Sequence, residues 1–412
     1  MKTKAVRLYG KNDLRLEQFE LPPISGDEIL AKVISDCICM SSHKAAVQGA
    51  DHKRVPENIA DNPTLLGHEF SGELVSVGAK WLYKFQPGQK FAIQPALNYR
   101  GSLDAPGYSY PHIGGNATYV VIPNEVMEMN CLLPYDGDAF FYASLAEPMS
   151  CIIGAFHANY HTTAGSYDHE MGIVEGGNLA LIAAAGPMGM GAIDYAIHCD
   201  RKPGMIVVTD IDEERLRRAA QILTVGEASN NGVRLIYMNT GDADALIELT
   251  GGCGYDDVFV FAPVAPVVEL GDRILGKDGC LNFFAGPTNP AFSASFNFYN
   301  VHYASTHVVG TSGGNTSDMV ESLSMMERGL IDPAAMITHI GGLDCVIGAT
   351  LNLDKIPGGK KLIYTHISMP LTAIADFGES SDPLLRRLAE IVENNNGLWC
   401  SDAEKYLLNH LR

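Results

Sequence analysis

Residues 178–212 constrain the fold more tightly than any other stretch. An apolar run at 179–183 is short enough for a strand buried on both faces. Gly186, Gly189 and Gly191 follow at once, then a helical stretch at 192–199, then a second apolar run at 205–209 ending at Asp210. Strand, glycine turn, helix, strand and acid make a βαβ unit of the dinucleotide-binding type. Backbone N–H groups at a helix N-terminus attract a pyrophosphate when no side chain blocks the approach. Gly186 would let the phosphates come close and Gly189 would let the helix pack on the strand, with Pro187 and Met188 in the same binding turn. A carboxylate at Asp210 would accept hydrogen bonds from the ribose hydroxyls and repel a 2′-phosphate, so NAD(H) is favoured over NADP(H). The usual first glycine of the fingerprint is Ala184 here, and alanine tolerates most turn geometries except positive φ.

A chain of 412 residues has room for two or three domains. Its net charge of −19 disfavours nucleic acid and anionic membrane as partners, since both need a basic face. The nine cysteines are scattered without a CxxC pair, unlike a secreted disulfide framework. The N-terminus reads directly as a strand, without a signal peptide's apolar core, and no run approaches the ~18 apolar residues of a membrane span. A cytoplasmic protein is expected.

Before the βαβ unit, residues 1–130 alternate short apolar runs with turns, as an irregular β domain does. Strands are expected at 5–9, 14–19, 28–35, 74–77 and 117–122, a short helix at 41–48, and a long loop with three tyrosines at 95–115. Residues 140–157 read as a helix that Pro148 should kink or restart. Residues 161–177 read as a connection. After the unit come a helix at 212–223, capped by Asp212, and buried strands near 235–238, 257–261, 280–284 and 308–310. Strands alternating with helices imply a parallel sheet. Two amphipathic helices, at 381–393 and 402–411, close the chain.

Cys39, His68, Glu69 and Glu147 offer a second chemistry. Catalytic zinc takes three N, S or O ligands from protein and keeps one position open. Taken singly, a cysteine is more often a small buried hydrophobe, His68 a structural histidine and Glu69 a solvated or capping acid. Glu147 stands in an apolar run, where an ionised acid needs a cation or several donors.

Together these residues carry a resemblance. The segments at 39–44, 67–72 (Gly-His-Glu-Phe-Ser-Gly), 77–78, 87–90, 115–119 and 146–148 (Ala-Glu-Pro) occur in the order found in zinc-dependent medium-chain dehydrogenases/reductases, and the βαβ unit follows in place. The Glu-Pro at 147–148 is similar to that of the polyol (sorbitol-type) branch. The resemblance implies an α/β protein: a Rossmann doubly wound parallel sheet plus a GroES-like irregular β catalytic domain. The implied domains are 1–152 (GroES-like), 153–326 (cofactor-binding) and 327–412 (return to the catalytic domain with a helical extension).

The implied function is a zinc-dependent NAD(P)(H) oxidoreductase that interconverts a ketose phosphate and a polyol phosphate. Cys39, His68 and a glutamate would hold one catalytic zinc. Relatives differ on whether the Glu69-type or the Glu147-type residue ligates directly; Glu147 is taken as the ligand and Glu69 kept in the set. Ser41 would relay the substrate proton, and His43 or Lys44 would pass it on. Lys44, Lys53, Arg54 and Arg100 are candidate phosphate donors, none of them singled out. Met40 and Ser42 stand where glycine and aspartate are common, so the support an aspartate gives is unaccounted for. Residues 95–115 lack the four cysteines of a structural zinc site. The expected partners are a small-molecule sugar phosphate or polyol and a second copy of the chain, as a homodimer or homotetramer. Two other readings stand beside this one: a dehydrogenase of unphosphorylated polyols or secondary alcohols, and a non-catalytic nucleotide-binding protein of the same fold.

Overall fold

The computed structural model describes every residue except Ala164 and Arg412. The chain divides into two compact units: residues 1–148 with 315–328 and 337–412, and residues 149–314 with 329–336.

The second unit is built on six parallel strands. Their spatial order is Arg234–Met238, Met205–Thr209, Asn178–Ile182, Tyr255–Val260, Leu275–Phe283 and His307–Val309. In sequence terms this is the doubly wound order 3-2-1-4-5-6, with the direction of winding reversing beside Asn178–Ile182. That strand is apolar along almost its whole length because both faces are covered. Ala180, Ile182, Val207, Val258, Val260 and Leu281 share one side of the core with Leu246 and Ile274. The helix after the first strand starts at Pro187, with Gly186 as its cap, and runs to His198. It therefore begins at the glycine turn, five residues before the apolar periodicity suggests; proline suits a first helical position, where its missing N–H costs nothing. Asp212 caps the next helix, Glu213–Ile222, accepting from the N–H groups of Glu214 and Arg215. Residues 161–177, expected as a plain connection, include a strand, His169–Met171, that pairs antiparallel with Tyr160–Thr162.

In the first unit, the strand Lys2–Gly10 lies between Asp13–Glu20 and Thr64–Leu65. A larger sheet of eight strands is centred on Ile29–Ile38, which pairs antiparallel with Phe70–Val77, Tyr119–Ile122 and Lys360–Tyr364. Its inward residues Ile29, Ala31 and Val33 pack with Phe70, Leu74, Phe91, Ile93 and Val120. The helix Phe140–Ala158 runs through Pro148 without restarting there. The closing helices are Pro383–Asn394 and Ser401–His410. Among the described residues no helix is long and apolar enough to cross a membrane, and no disulfide forms.

Candidate active site

Strand register builds the first unit's polar centre. Asp36 lies opposite Phe70, so antiparallel pairing carries the residues after Asp36 alongside those before Phe70. The Cys37 N–H donates to the Glu69 carbonyl at 3.0 Å. Ile38 lies opposite Lys361, which brings Lys360 to the same end. Three strand ends thus converge on Cys39, His68, Glu69 and Lys360. Gly67, just before His68, has a φ of +91°, and a Cβ there would meet Asp36 Oδ2 at 2.6 Å and the Asn116 nitrogen at 2.7 Å. Only glycine fits that approach.

One donor atom from each of Cys39, His68 and Glu69 lies within 4.8 Å of the others. Cys39 stands at the N-cap of the helix Met40–Gln48, so that helix supplies the neighbours of its thiol. Ser41 Oγ lies 3.1 Å from Cys39 Sγ and 3.1 Å from His68 Nε2. Ser42 Oγ lies 3.2 Å from His68 Nδ1. The serine at the position where an aspartate is common therefore holds the outer ring nitrogen, and Nε2 is left facing the cluster. Burial lowers the His68 pKa, against the charges of Glu147 and Glu69, and favours the neutral imidazole that binds metals. Lys360 makes a buried ion pair with Glu69 Oε1. Burial opposes its charge, but Glu69, Cys39 and Cys37 outweigh burial and hold Lys360 protonated. Glu69 Oε2 is buried without a hydrogen-bond partner. An orphaned carboxylate oxygen beside a thiol and a supported imidazole is the donor set that zinc takes, and the residues present fit that ion.

Sequence reasoning missed Tyr108, one of the three loop tyrosines. It is 2% exposed. Its hydroxyl donates to Ser41 Oγ at 2.8 Å and lies 3.2 Å from His68 Nε2. Burial first, then Cys39, push its pKa well above the usual range, so it remains a donor. Its signal in the sequence was only its place in a loop that also holds Pro106 and Gly107. Glu147 acts through its charge on both His68 and Tyr108. His43 is turned elsewhere: its Nδ1 donates to the Thr350 carbonyl at 2.8 Å, and no hydrogen bond joins it to Ser41 among the described residues.

In the second unit, a Cβ on Gly189 would meet the Ala184 carbonyl oxygen at 1.9 Å, whereas one on Gly186 would meet nothing within 4 Å. Gly189 is thus where helix and strand backbones touch, and Gly186 leaves clear space at the helix N-terminus. Both features suit a pyrophosphate. Ala184 does not take positive φ; its neighbour Ala183 does, at +57°. Asp210 Oδ2 accepts from the Ala185 N–H and Oδ1 from the Asp212 N–H, each at 3.0 Å. The carboxylate ties the glycine turn to the second strand, and each oxygen keeps a second lone pair.

Comparison with known proteins agrees with both halves. Residues 18–130 match the family model for the alcohol dehydrogenase GroES-like domain, and residues 187–328 match that for zinc-binding dehydrogenase. The chain is 54% identical over 412 residues to mannitol-1-phosphate 5-dehydrogenase of Aliivibrio fischeri, covering 98% of this chain and 97% of that one. The chain belongs to the zinc-dependent medium-chain dehydrogenase family. It is also 50% identical over 410 residues to L-sorbose 1-phosphate reductase of Klebsiella pneumoniae, covering 99% and 98% of the two chains. Its fold is that of a zinc-binding dehydrogenase from Sinorhizobium meliloti 1021 solved with NADP, at a TM-score of 0.71 and 18% identity, over 88% of this chain and 99% of that one. As a member of this family the chain is an oxidoreductase acting on CH–OH groups, with zinc and a nicotinamide cofactor.

Proposed function

We propose that this dehydrogenase interconverts a ketose phosphate and a polyol phosphate, with L-sorbose 1-phosphate and D-glucitol 6-phosphate as the pair. The observation that carries the chemistry is the Cys39, His68 and Glu69 cluster with Ser41 in contact with two of its members. The two relatives above, similar over nearly their whole length, support a phosphorylated polyol. The segments at 45–56 and 94–115 are also similar to L-sorbose 1-phosphate reductase.

Cys39, His68 and Glu69 would hold one zinc per subunit, with Glu147 as the second carboxylate near it. Once bound there, zinc supplies Lewis-acid polarisation of the substrate oxygen, and the nicotinamide supplies the hydride. The protein's own groups manage the proton. Ser41 Oγ accepts from Tyr108 and is poised to exchange a proton with a substrate hydroxyl. Ser42 fixes the His68 ring, and Lys360 favours the ionised Glu69 carboxylate against burial, which pushes its pKa up to about 7. We assign Tyr108 the hydroxyl next to Ser41 in the relay, in place of His43. Gly186, Pro187, Met188 and Gly189 would take the pyrophosphate, and Asp210 the ribose, which favours NAD(H). A cytoplasmic homodimer or homotetramer goes with this reading.

The test is reduction of L-sorbose 1-phosphate and oxidation of mannitol 1-phosphate and D-glucitol 6-phosphate, followed through NADH absorbance. Each is run before chelation, after chelation and after zinc is restored. Turnover that needs zinc and is absent with L-sorbose supports the proposal. No turnover of any sugar phosphate by zinc-loaded protein would discard it.

A further inference from the structure

The reaction leaves one charged group in the first unit without a task. Arg54 is half-buried, and its Nε is shielded from solvent without a hydrogen-bond partner. Its guanidinium makes no ion pair among the described residues. Yet it is firmly placed. The Ser109 hydroxyl donates to the Arg54 carbonyl at 2.6 Å, and the Arg54 N–H donates to His52 Nδ1 at 3.3 Å. Arg54 Cζ lies 5.4 Å from the centroid of the Tyr108 ring, and the His52 ring stacks on the same tyrosine at 5.6 Å with 8° between planes. The hydroxyl end of that tyrosine touches Ser41 and His68. One side chain therefore spans from the guanidinium to the reacting centre.

The surroundings are cationic. His52 is pushed down to about 4, first by burial and then by the charges of Arg54, Lys53 and Lys44, with His68 last. In a chain of net charge −19, this local concentration of positive charge stands apart and attracts an anion, although Cys39 and Glu147 also act on Tyr108. A buried, unpaired guanidinium nitrogen is costly until an acceptor arrives. A phosphate dianion matches the planar donor fork, which an ammonium group does not provide.

We propose that Arg54 receives the phosphate of the substrate and sets the enzyme's preference for phosphorylated over unphosphorylated sugars. Tyr108 is the spacer between that phosphate and the oxygen that reacts beside Ser41. Lys53, exposed and adjacent in sequence, adds positive charge beside it. This rests on the sugar-phosphate reading of the site given above.

The experiment uses zinc-loaded protein with Arg54→Met and Arg54→Lys. Methionine keeps an unbranched stem against Tyr108, and lysine keeps the charge without the fork. Two quantities are read: kcat and KM on D-glucitol 6-phosphate and on D-glucitol, and the affinity for inorganic phosphate by calorimetry. Arg54→Met should raise KM for the sugar phosphate roughly 10- to 100-fold with kcat kept, and weaken inorganic phosphate by a similar factor. Arg54→Lys should fall between, and it decides the matter if the methionine variant does not fold. An unchanged KM and phosphate affinity would overturn the proposal. So would an equal loss of kcat on both substrates, which would mark Arg54 as packing for Tyr108 and nothing more. If the unaltered protein turns over no sugar phosphate, the sugar-phosphate function fails, while phosphate binding lost with Arg54 would still support the anion site. Phosphate binding that survives the substitution would sink the site whatever the substrate.

Discussion

At the scale of single residues, two side chains stand where local physics opposes them. Lys360 and Glu69 form a charged pair at 6% and 1% side-chain exposure. Removing one partner of such a pair strands the other. Burial already pushes the Glu69 carboxyl up to about 7 against the pull of Lys360. The cost of Lys360→Met, read from urea denaturation of the chelated protein, should therefore grow from little at pH 5 to about 3 kcal/mol at pH 8, where Glu69 would keep an uncompensated charge. A loss that is the same at both pH values would show that Glu69 does not titrate between them. Ala183 takes the left-handed backbone at φ +57° just after the first cofactor strand. A left-handed L-residue costs about 1–2 kcal/mol, part of which glycine recovers. Ala183→Gly should raise stability by about 0.5–1 kcal/mol; a lower urea midpoint would count against strain there. Asp210→Ala should narrow the preference for NADH over NADPH, and an unchanged ratio of kcat/KM values would remove Asp210 from that role. The candidate metal donors were legible because thiol, imidazole and carboxylate have few other uses in such a pattern. Tyr108 was not, because a tyrosine in a loop has many.

At the scale of elements, the C-terminal extension has a physical task that the family pattern does not explain. Glu404, on the last helix, accepts from the N–H groups of Phe140 at 2.7 Å and Phe141 at 3.0 Å. It thereby caps the helix that carries Glu147. The Tyr364 hydroxyl donates to Glu404 at 2.8 Å, and Trp399 Nε1 donates to Tyr364 at 2.8 Å. Burial pushes the Glu404 carboxyl up to about 7, against its backbone donors, Tyr364 and the charge of Lys90. The sign follows from linkage. Between about pH 4.5 and 7 the folded chain holds this proton and the unfolded chain does not, so stability falls as pH rises through that window, by about 3 kcal/mol at most. Glu404→Gln should flatten the fall in the urea midpoint between pH 5 and 8. A variant as steep as the parent would place the titration elsewhere. Amphipathic periodicity revealed the two closing helices but not what they cap, since that partner lies more than 260 residues earlier in the chain. The hairpin of Tyr160–Thr162 and His169–Met171 was missed because strands of three residues leave no period to read.

At the scale of the whole molecule, the cofactor unit's sheet ends at His307–Val309, a strand that among the described residues has a neighbour on one side only. Val308 is half exposed, and Phe298, Tyr299 and Tyr303 nearby in sequence are largely exposed. An open edge beside exposed aromatic side chains is a ready template for pairing with another chain. Val308→Pro disrupts that edge strand and, for the dimer or tetramer proposed above, should shift sedimentation toward a monomer while NADH still binds. An unchanged sedimentation coefficient would move the interface elsewhere. The helix Thr316–Glu327 belongs with residues 1–148, which no alternation of strands and helices could show.

Local signals were enough for the doubly wound sheet, the glycine turn and the chemical kinds of donor. An apolar run, a run of glycines and a thiol each carry their constraint in themselves. Only the tertiary structure decided which donors meet. Antiparallel register set Cys39 beside His68 and Glu69, and the pairing of Ile38 with Lys361 brought Lys360 to the same point. The loop at 95–115 delivered Tyr108 to Ser41, and the Thr350 carbonyl held His43 elsewhere. Such contacts join residues far apart in the chain, and their energy depends on burial that exists only once the sheet has closed.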